Sequence, residues 1–149
     1  MISQSNLQRA SPLAREFHER IGVRLRDVEY SEEFSDRYEF SIKARHPAVG
    51  ELRVRDDGDE LTISLGVHHH WHVPEYLFEN EPVNRRHVLA AEAAVESVAS
   101  VLENRTVIRV SRESAHSRGS MSYSRASATV KPLTADEEEF FWSGPRGSE

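Results

Sequence analysis

Half of the eight histidines in this 149-residue chain fall in one short run, His68-His69-His70-Trp71-His72. The run is internal and follows a strand-like segment, so it does not read as an expression tag. Leu61, Ile63, Leu65 and Val67 alternate with Thr62, Ser64 and Gly66. If that alternation continues, His69, Trp71 and Val73 share the apolar face, and His68, His70 and His72 share the opposite one. Residues two apart on a strand have Cα atoms ~6.6–6.8 Å apart. Two imidazoles at that spacing can converge on one ion, because zinc–nitrogen bonds are ~2.0–2.1 Å long. Three in a line make a poor tetrahedron without a further ligand, such as His46, His116 or a nearby carboxylate. His68, His70 and His72 are therefore the candidate metal ligands, with zinc the candidate metal. The competing expectation is an exposed or interfacial row that takes metal only adventitiously. Imidazoles also titrate near neutrality, which leaves a pH switch open.

Other chemistry finds less support. The chain has no Cys, which excludes a disulfide scaffold, a thiol nucleophile and a Cys-ligated zinc site. Serines abound between Ser111 and Ser127, but none stands in a G-x-S-x-G turn. There is no phosphate-cradling glycine-rich loop. Asp56, Asp57 and Asp59 read as a turn, not as a paired acid and base. The arginines among those serines suggest a solvated face before they suggest RNA. No catalytic residue and no resident cofactor is expected.

Those residues need elements to position them. Ser11 and Pro12 suit the N-cap and first position of a helix over 11–22, with Leu13, Phe17 and Ile21 as its apolar stripe and Gly22 as its stop. Alternation then predicts strands over 36–45, 51–56 and 60–73, with a further strand open near Val23–Tyr30. Asp56-Asp57-Gly58-Asp59 is a hairpin signal, since Asp-Gly supplies positive φ. Tyr76, Leu77 and Phe78, between two prolines, are expected to tuck under the sheet. A long helix follows over 82–103, with Val88, Ala91, Val95, Val98 and Leu102 on one stripe. Asn104 can adopt the left-handed conformation that ends it. Val107, Ile108 and Val110 predict a short strand, residues 111–120 a hairpin loop, and Met121 to about Val130 an edge strand. Phe140, Phe141 and Trp142 are expected to pack back on the domain or to meet a partner.

The expected fold is α+β: an antiparallel β-meander packed on one long helix, with a short N-terminal helix. At 149 residues the chain suits a single domain, 1–149, with 1–10 and 143–149 as mobile tails. Hydrophobic residues at 38% are enough for a core, and no apolar run approaches the ~20 residues of a membrane span. The start shows no basic region followed by an apolar run, so a cytoplasmic protein is expected. With 25 acidic and 19 basic residues the net charge is −6, which disfavours nucleic acid and suits a basic protein partner. Solubility alone would account for the same charge.

The order of these pieces resembles small bacterial α+β immunity proteins of polymorphic-toxin systems. The resemblance is carried by Asp57-Gly58-Asp59-Glu60-Leu61-Thr62-Ile63-Ser64-Leu65-Gly66, the H-x-H end His70-Trp71-His72-Val73, the Ala-rich helix, the valine strand and Phe141-Trp142-Ser143-Gly144, over roughly residues 50–144. It implies a non-enzymatic protein whose sheet and loops form an acidic or polar surface that plugs a toxin's active site. It implies a cognate toxin as partner, and no membrane. The histidine run exceeds a plain H-x-H, and the N-terminal helix lies outside the match. The alternative is a metal-binding protein or small metal-dependent hydrolase built on His68–His72. A stand-alone accessory domain with no toxin is the third reading.

Overall fold

The computed structural model describes residues 1–66, 69–111, 121–127 and 132–148. The expected α+β architecture is present. Helices α1 (Gln4–Arg9) and α2 (Pro12–Arg24) precede strands β1 (Ser31–Phe34), β2 (Tyr38–Ile42), β3 (Leu52–Asp56), β4 (Glu60–Leu65) and β5 (His69–Pro74). These strands form one antiparallel meander in chain order. A 3-10 turn, Glu75–Phe78, leads to the long helix α3 (Val83–Leu102). Strands β6 (Thr106–Ser111), β7 (Met121–Ser124), β8 (Glu137–Phe141) and β9 (Gly144–Pro145) form a second antiparallel sheet, ordered β7-β6-β8-β9.

The core lies between the meander and the helices. Leu13, Phe17 and Ile21, four residues apart on α2, are fully buried. Phe17 stands edge-on to Phe40 at 5.4 Å and to Tyr38 at 6.4 Å. Each such side chain contributes about 1.5–3 kcal/mol through its burial. α2 packs against α3, where Ala90, Ala91, Ala94 and Val98 are buried. Small side chains let the helix axes approach, so these alanines serve packing as well as helix propensity. β2 and β3 supply Phe40, Ile42, Leu52 and Val54, and β4 supplies Leu61, Ile63 and Leu65.

The element ends follow local chemistry. Ser11 Oγ accepts from Ala14 N at 3.0 Å, the expected N-cap. Gly22 does not stop α2, which runs on to Arg24 because its backbone bonds continue to Leu25 N. At the end of α3, Asn104 adopts φ 57°. Arg105 N donates to Ser100 O and Asn104 N to Val101 O, the paired bonds of a Schellman motif.

Several expectations change. The strand drawn over 60–73 is two strands, β4 and β5, reversing after Leu65, where Gly66 takes φ 57°. No strand runs from Val23 to Tyr30: Val23 is helical, and β1 begins at Ser31. Tyr76 and Leu77 do not tuck under the sheet, and only Phe78 packs against the core. β8 was not expected, because Glu137, Glu138 and Glu139 hide its pattern. Phe140, Phe141 and Trp142 do pack back, each at most 5% exposed. The segment 1–10, expected as a mobile tail, holds the capped helix α1 and the buried Ala10. In the other tail, Gly144–Pro145 pair with β8. The loop expected over 111–120 and the strand end near Val130 lie outside the described residues, apart from Ser111, which belongs to β6.

Two glycines close the meander where β3 begins and β4 ends. Gly50 has φ 82°, and a Cβ there would sit 2.4 Å from the Gly66 Cα. Gly66 N donates to Glu51 O at 2.9 Å, holding the backbones together. Gly58, with φ 93°, has nothing within 4 Å of its would-be Cβ. Gly58→Ala should therefore cost only the left-handed penalty, about 1–3 kcal/mol. Gly50→Ala should cost that plus a backbone clash, and thermal melting should show clearly the larger drop. Equal losses in the two variants would mean that the Gly50–Gly66 approach is not a constraint.

Candidate functional site

The meander has one face against the helices and one face open. Strand alternation decides which side chains go where. Across β2, β3, β4 and β5 the register lines up Glu39, Arg55, Thr62 and His72 in one row. The next row is Ser41, Arg53, Ser64 and His70. Arg53, Arg55, His70 and His72 are exposed. The result is a polar lattice, two rows by four strands, backed by an inner layer that is apolar apart from Asp56 and His69.

His70 and His72 are thus on the open face, with ring centroids 5.5 Å apart and nearly perpendicular. His69 is buried on the inner face, opposite Leu65, and Trp71 is half-buried opposite Ile63. The sides expected from a continuous strand are the ones found, although the chain reverses between Leu65 and His69. Cross-strand partners share a face, and Thr62 meets His72 while Ser64 meets His70. His68 lies outside the described residues. Among the described residues no group of three or more His, Asp or Glu side chains could hold a metal ion.

Asp57 is the hub of this face. Its carboxylate accepts from Arg37 Nη1 at 2.8 Å, Arg55 Nε at 3.0 Å and Thr62 Oγ1 at 2.5 Å. Burial pushes the Asp57 carboxyl up. The hydrogen bond from Thr62, the hydrogen bond and charge of Arg55, and the charge of Arg37 outweigh it and hold the group below the usual carboxylate range. Thr62 has one hydroxyl proton and gives it to Asp57. Thr62 Oγ1 also lies 3.1 Å from His72 Nδ1, which in turn lies 3.0 Å from Glu60 Oε1. The face is tied together side chain to side chain from Arg37 to Glu60.

Three further polar clusters escaped the sequence reading. Buried Glu32 Oε1 accepts from Tyr38 OH and meets His18 Nδ1, both at 2.6 Å. Burial, with the charge of Glu32 behind it, pushes the Tyr38 hydroxyl well up, so it stays a donor. This cluster joins α2 to the edge of the meander. Glu75 Oε1 lies 3.0 Å from His87 Nε2. Burial raises the Glu75 carboxyl despite the opposing charge of His87, and Asp59 adds to the rise. In the second sheet, Glu139 accepts from Tyr123 OH, from Arg109 Nη2 at 3.3 Å and from Arg146 Nη1 at 3.3 Å. Arg125 and Arg146 lie over the Phe141 ring, at 4.9 and 5.8 Å. The partners in each cluster sit on different elements, from 6 to 30 residues apart, and no local pattern announces them.

A hollow of about 760 Å³ between α2 and α3 is lined by charges that pair, Arg20 with Glu92 and Arg24 with Glu96. No protein-family model matches the chain, and no curated protein or solved structure matches it either.

Two outcomes follow from this geometry. Asp57→Asn should lower stability at neutral pH by ~1 kcal/mol or more, since hydrogen bonds to a charged acceptor are lost. A carboxyl held below its unfolded value stabilises above the usual carboxylate range, and loses that contribution as pH falls through its folded value. The gap in melting temperature between wild type and Asp57→Asn should therefore close on acidification, and a constant gap would contradict the hub. Zinc titration with calorimetry on the wild type and on His68→Ala, His70→Ala and His72→Ala should give micromolar or weaker binding. The reason is that a row offers two ligands easily and a third poorly. Nanomolar binding lost in at least two variants would put the metal reading first. It would also stabilise the fold by ~4 kcal/mol at a thousandfold excess over the dissociation constant.

Proposed function

We propose that the chain is a non-enzymatic, immunity-like protein that neutralises a cognate bacterial toxin by occlusion. The observation that supports this reading is the open, stapled polar face of β2–β5. Its side chains are held by each other before any partner arrives, so little rotamer freedom is lost on binding. Both charge signs stand side by side, Arg37, Arg53 and Arg55 with Glu39, Asp57 and Glu60, which gives register and specificity to a contact. The net charge of −6 adds long-range steering toward a basic toxin such as a nuclease. The resemblance of residues 50–144 to immunity proteins points the same way and rests on those residues alone. In this reading the protein is cytoplasmic, needs no cofactor, and meets its toxin before export.

The metal-dependent alternative has one observation in its favour: His70 and His72 are adjacent, with Glu60 beside them. Against it, the Thr62 hydroxyl that meets His72 Nδ1 on that face donates to Asp57.

The deciding experiment is co-expression with the product of the immediately upstream gene, which this reading expects to be the toxin. Growth should be rescued and a stable complex should elute as one species. Arg53→Ala with His70→Ala should weaken binding at least tenfold, about 1.4 kcal/mol, with the melting temperature nearly unchanged, because both side chains are exposed and neither bonds Asp57. Rescue that both changes leave intact would remove the sheet face from the interface. Turnover of a phosphoester, ester or peptide substrate that disappears in His70→Ala would replace the binding reading with the hydrolase.

A further inference from the structure

Among the described residues six large hydrophobic side chains are exposed, and three lie in one stretch: Tyr76 at 69%, Leu77 at 61% and Val83 at 59%. Tyr76 and Leu77 belong to the 3-10 turn after β5, which packs on the start of α3, and Val83 is the first residue of α3. Scattered exposed hydrophobics are ordinary, but three within eight residues, on a turn and on the start of the helix it packs against, are not.

The stretch is pinned from behind. Arg86 donates from Nε to Glu81 O at 2.6 Å and from Nη2 to Glu79 O at 2.7 Å. Glu75 N donates to Asp59 O at 2.9 Å, and the Glu75 carboxylate meets His87. Phe78 packs against the core and fixes the turn's rotation. These contacts hold the backbone so that Tyr76 and Leu77 point outward, and none of them requires those two side chains to be apolar.

The surroundings are acidic. Asp59, Glu75, Glu79 and Glu81 border the group, against Arg85, which pairs with Glu81 at 3.4 Å, and Arg86, whose donors serve backbone carbonyls. An apolar centre inside a polar rim is the pattern of a binding hot spot. The sign of the rim selects the occupant. Nucleic acid phosphates and anionic lipid headgroups are repelled by it, and a second copy of the same surface would set acid against acid.

We propose that Tyr76, Leu77 and Val83 form the centre of a docking surface for a basic protein segment, one that presents an aliphatic or aromatic residue flanked by Lys or Arg. The contact is distinct from the polar sheet face and stands whether or not the partner at that face is a toxin.

The test is selection from a random-peptide display library on the full-length protein, with no toxin involved. Peptides enriched on the wild type should carry net positive charge and an aliphatic or aromatic residue. A double variant, Tyr76→Ser with Leu77→Ser, should bind them at least tenfold more weakly while keeping its melting temperature, because both side chains are exposed. Glu79→Lys should also weaken them, and added salt should do the same. Enrichment of acidic peptides, no enrichment, or equal binding by the double variant would each overturn the proposal. Sedimentation showing that the wild type self-associates through these residues, or binding to anionic phosphatidylglycerol vesicles in preference to the peptides, would overturn it too.

Discussion

The turn Asp56-Asp57-Gly58 holds the two halves of the structure in relation to each other. Strand alternation sends the two carboxylates to opposite sides of the sheet. Asp56 faces inward, where its Oδ2 accepts from Ser11 N at 2.9 Å and its Oδ1 from Gly58 N at 3.0 Å. That fixes the first turn of α2 to the end of β3. Asp57 faces outward and gathers Arg37, Arg55 and Thr62. One backbone reversal therefore sets the helix layer on one side and the polar lattice on the other. The Asp-Gly pair is legible as a turn. That each acid also performs a long-range task is not, because Ser11 is 45 residues from Asp56.

The core explains why that turn is enough. α2 brings Leu13, Phe17 and Ile21 onto Tyr38 and Phe40, and α3 lays its alanines alongside. The second sheet joins the same core through Ile108, Phe140 and Trp142. Its other side is where Arg125 and Arg146 cover the Phe141 ring. A stacked guanidinium shields an aromatic while keeping its charged edge wet, so among the described residues two cations cover that ring.

Legibility in the sequence tracked local pattern. α2, α3, β2 and β3 carry clean periods of 3.6 or 2, and were found within a few residues. The faces of His69, His70 and His72 agree with the alternation, although the strand it predicts is not continuous. A single strand over 60–73 and a β4–β5 hairpin give the same sides, because partners such as Thr62 with His72 are both even-numbered and alternation keeps its parity through the reversal. β8 was missed because glutamates do not look like strand residues until Arg109, Arg146 and Tyr123 are brought to Glu139. Tyr76 and Leu77 were misplaced for the opposite reason: an apolar residue between prolines reads as buried, and only Arg86 and Phe78 show why the turn faces out.

The two sheets meet the same problem of a largely covered carboxylate with different chemistry. Glu32, with its side chain 7% exposed, is satisfied by a tyrosine hydroxyl and a histidine. Glu139, at 11%, is satisfied by a tyrosine hydroxyl and two arginines. An arginine is always cationic, whereas His18 carries charge only when protonated. Glu139 therefore keeps opposite charge beside it at any physiological pH, and its cluster acts as a fixed brace between β6, β7 and β8. Glu32 instead has a single formal partner charge available, that of His18, beside its tyrosine donor. Its strand β1 borders β2, the first strand of the polar lattice, and the strand that carries Glu39 and Ser41 is thus anchored at Tyr38 by a bond that does not depend on His18 being charged.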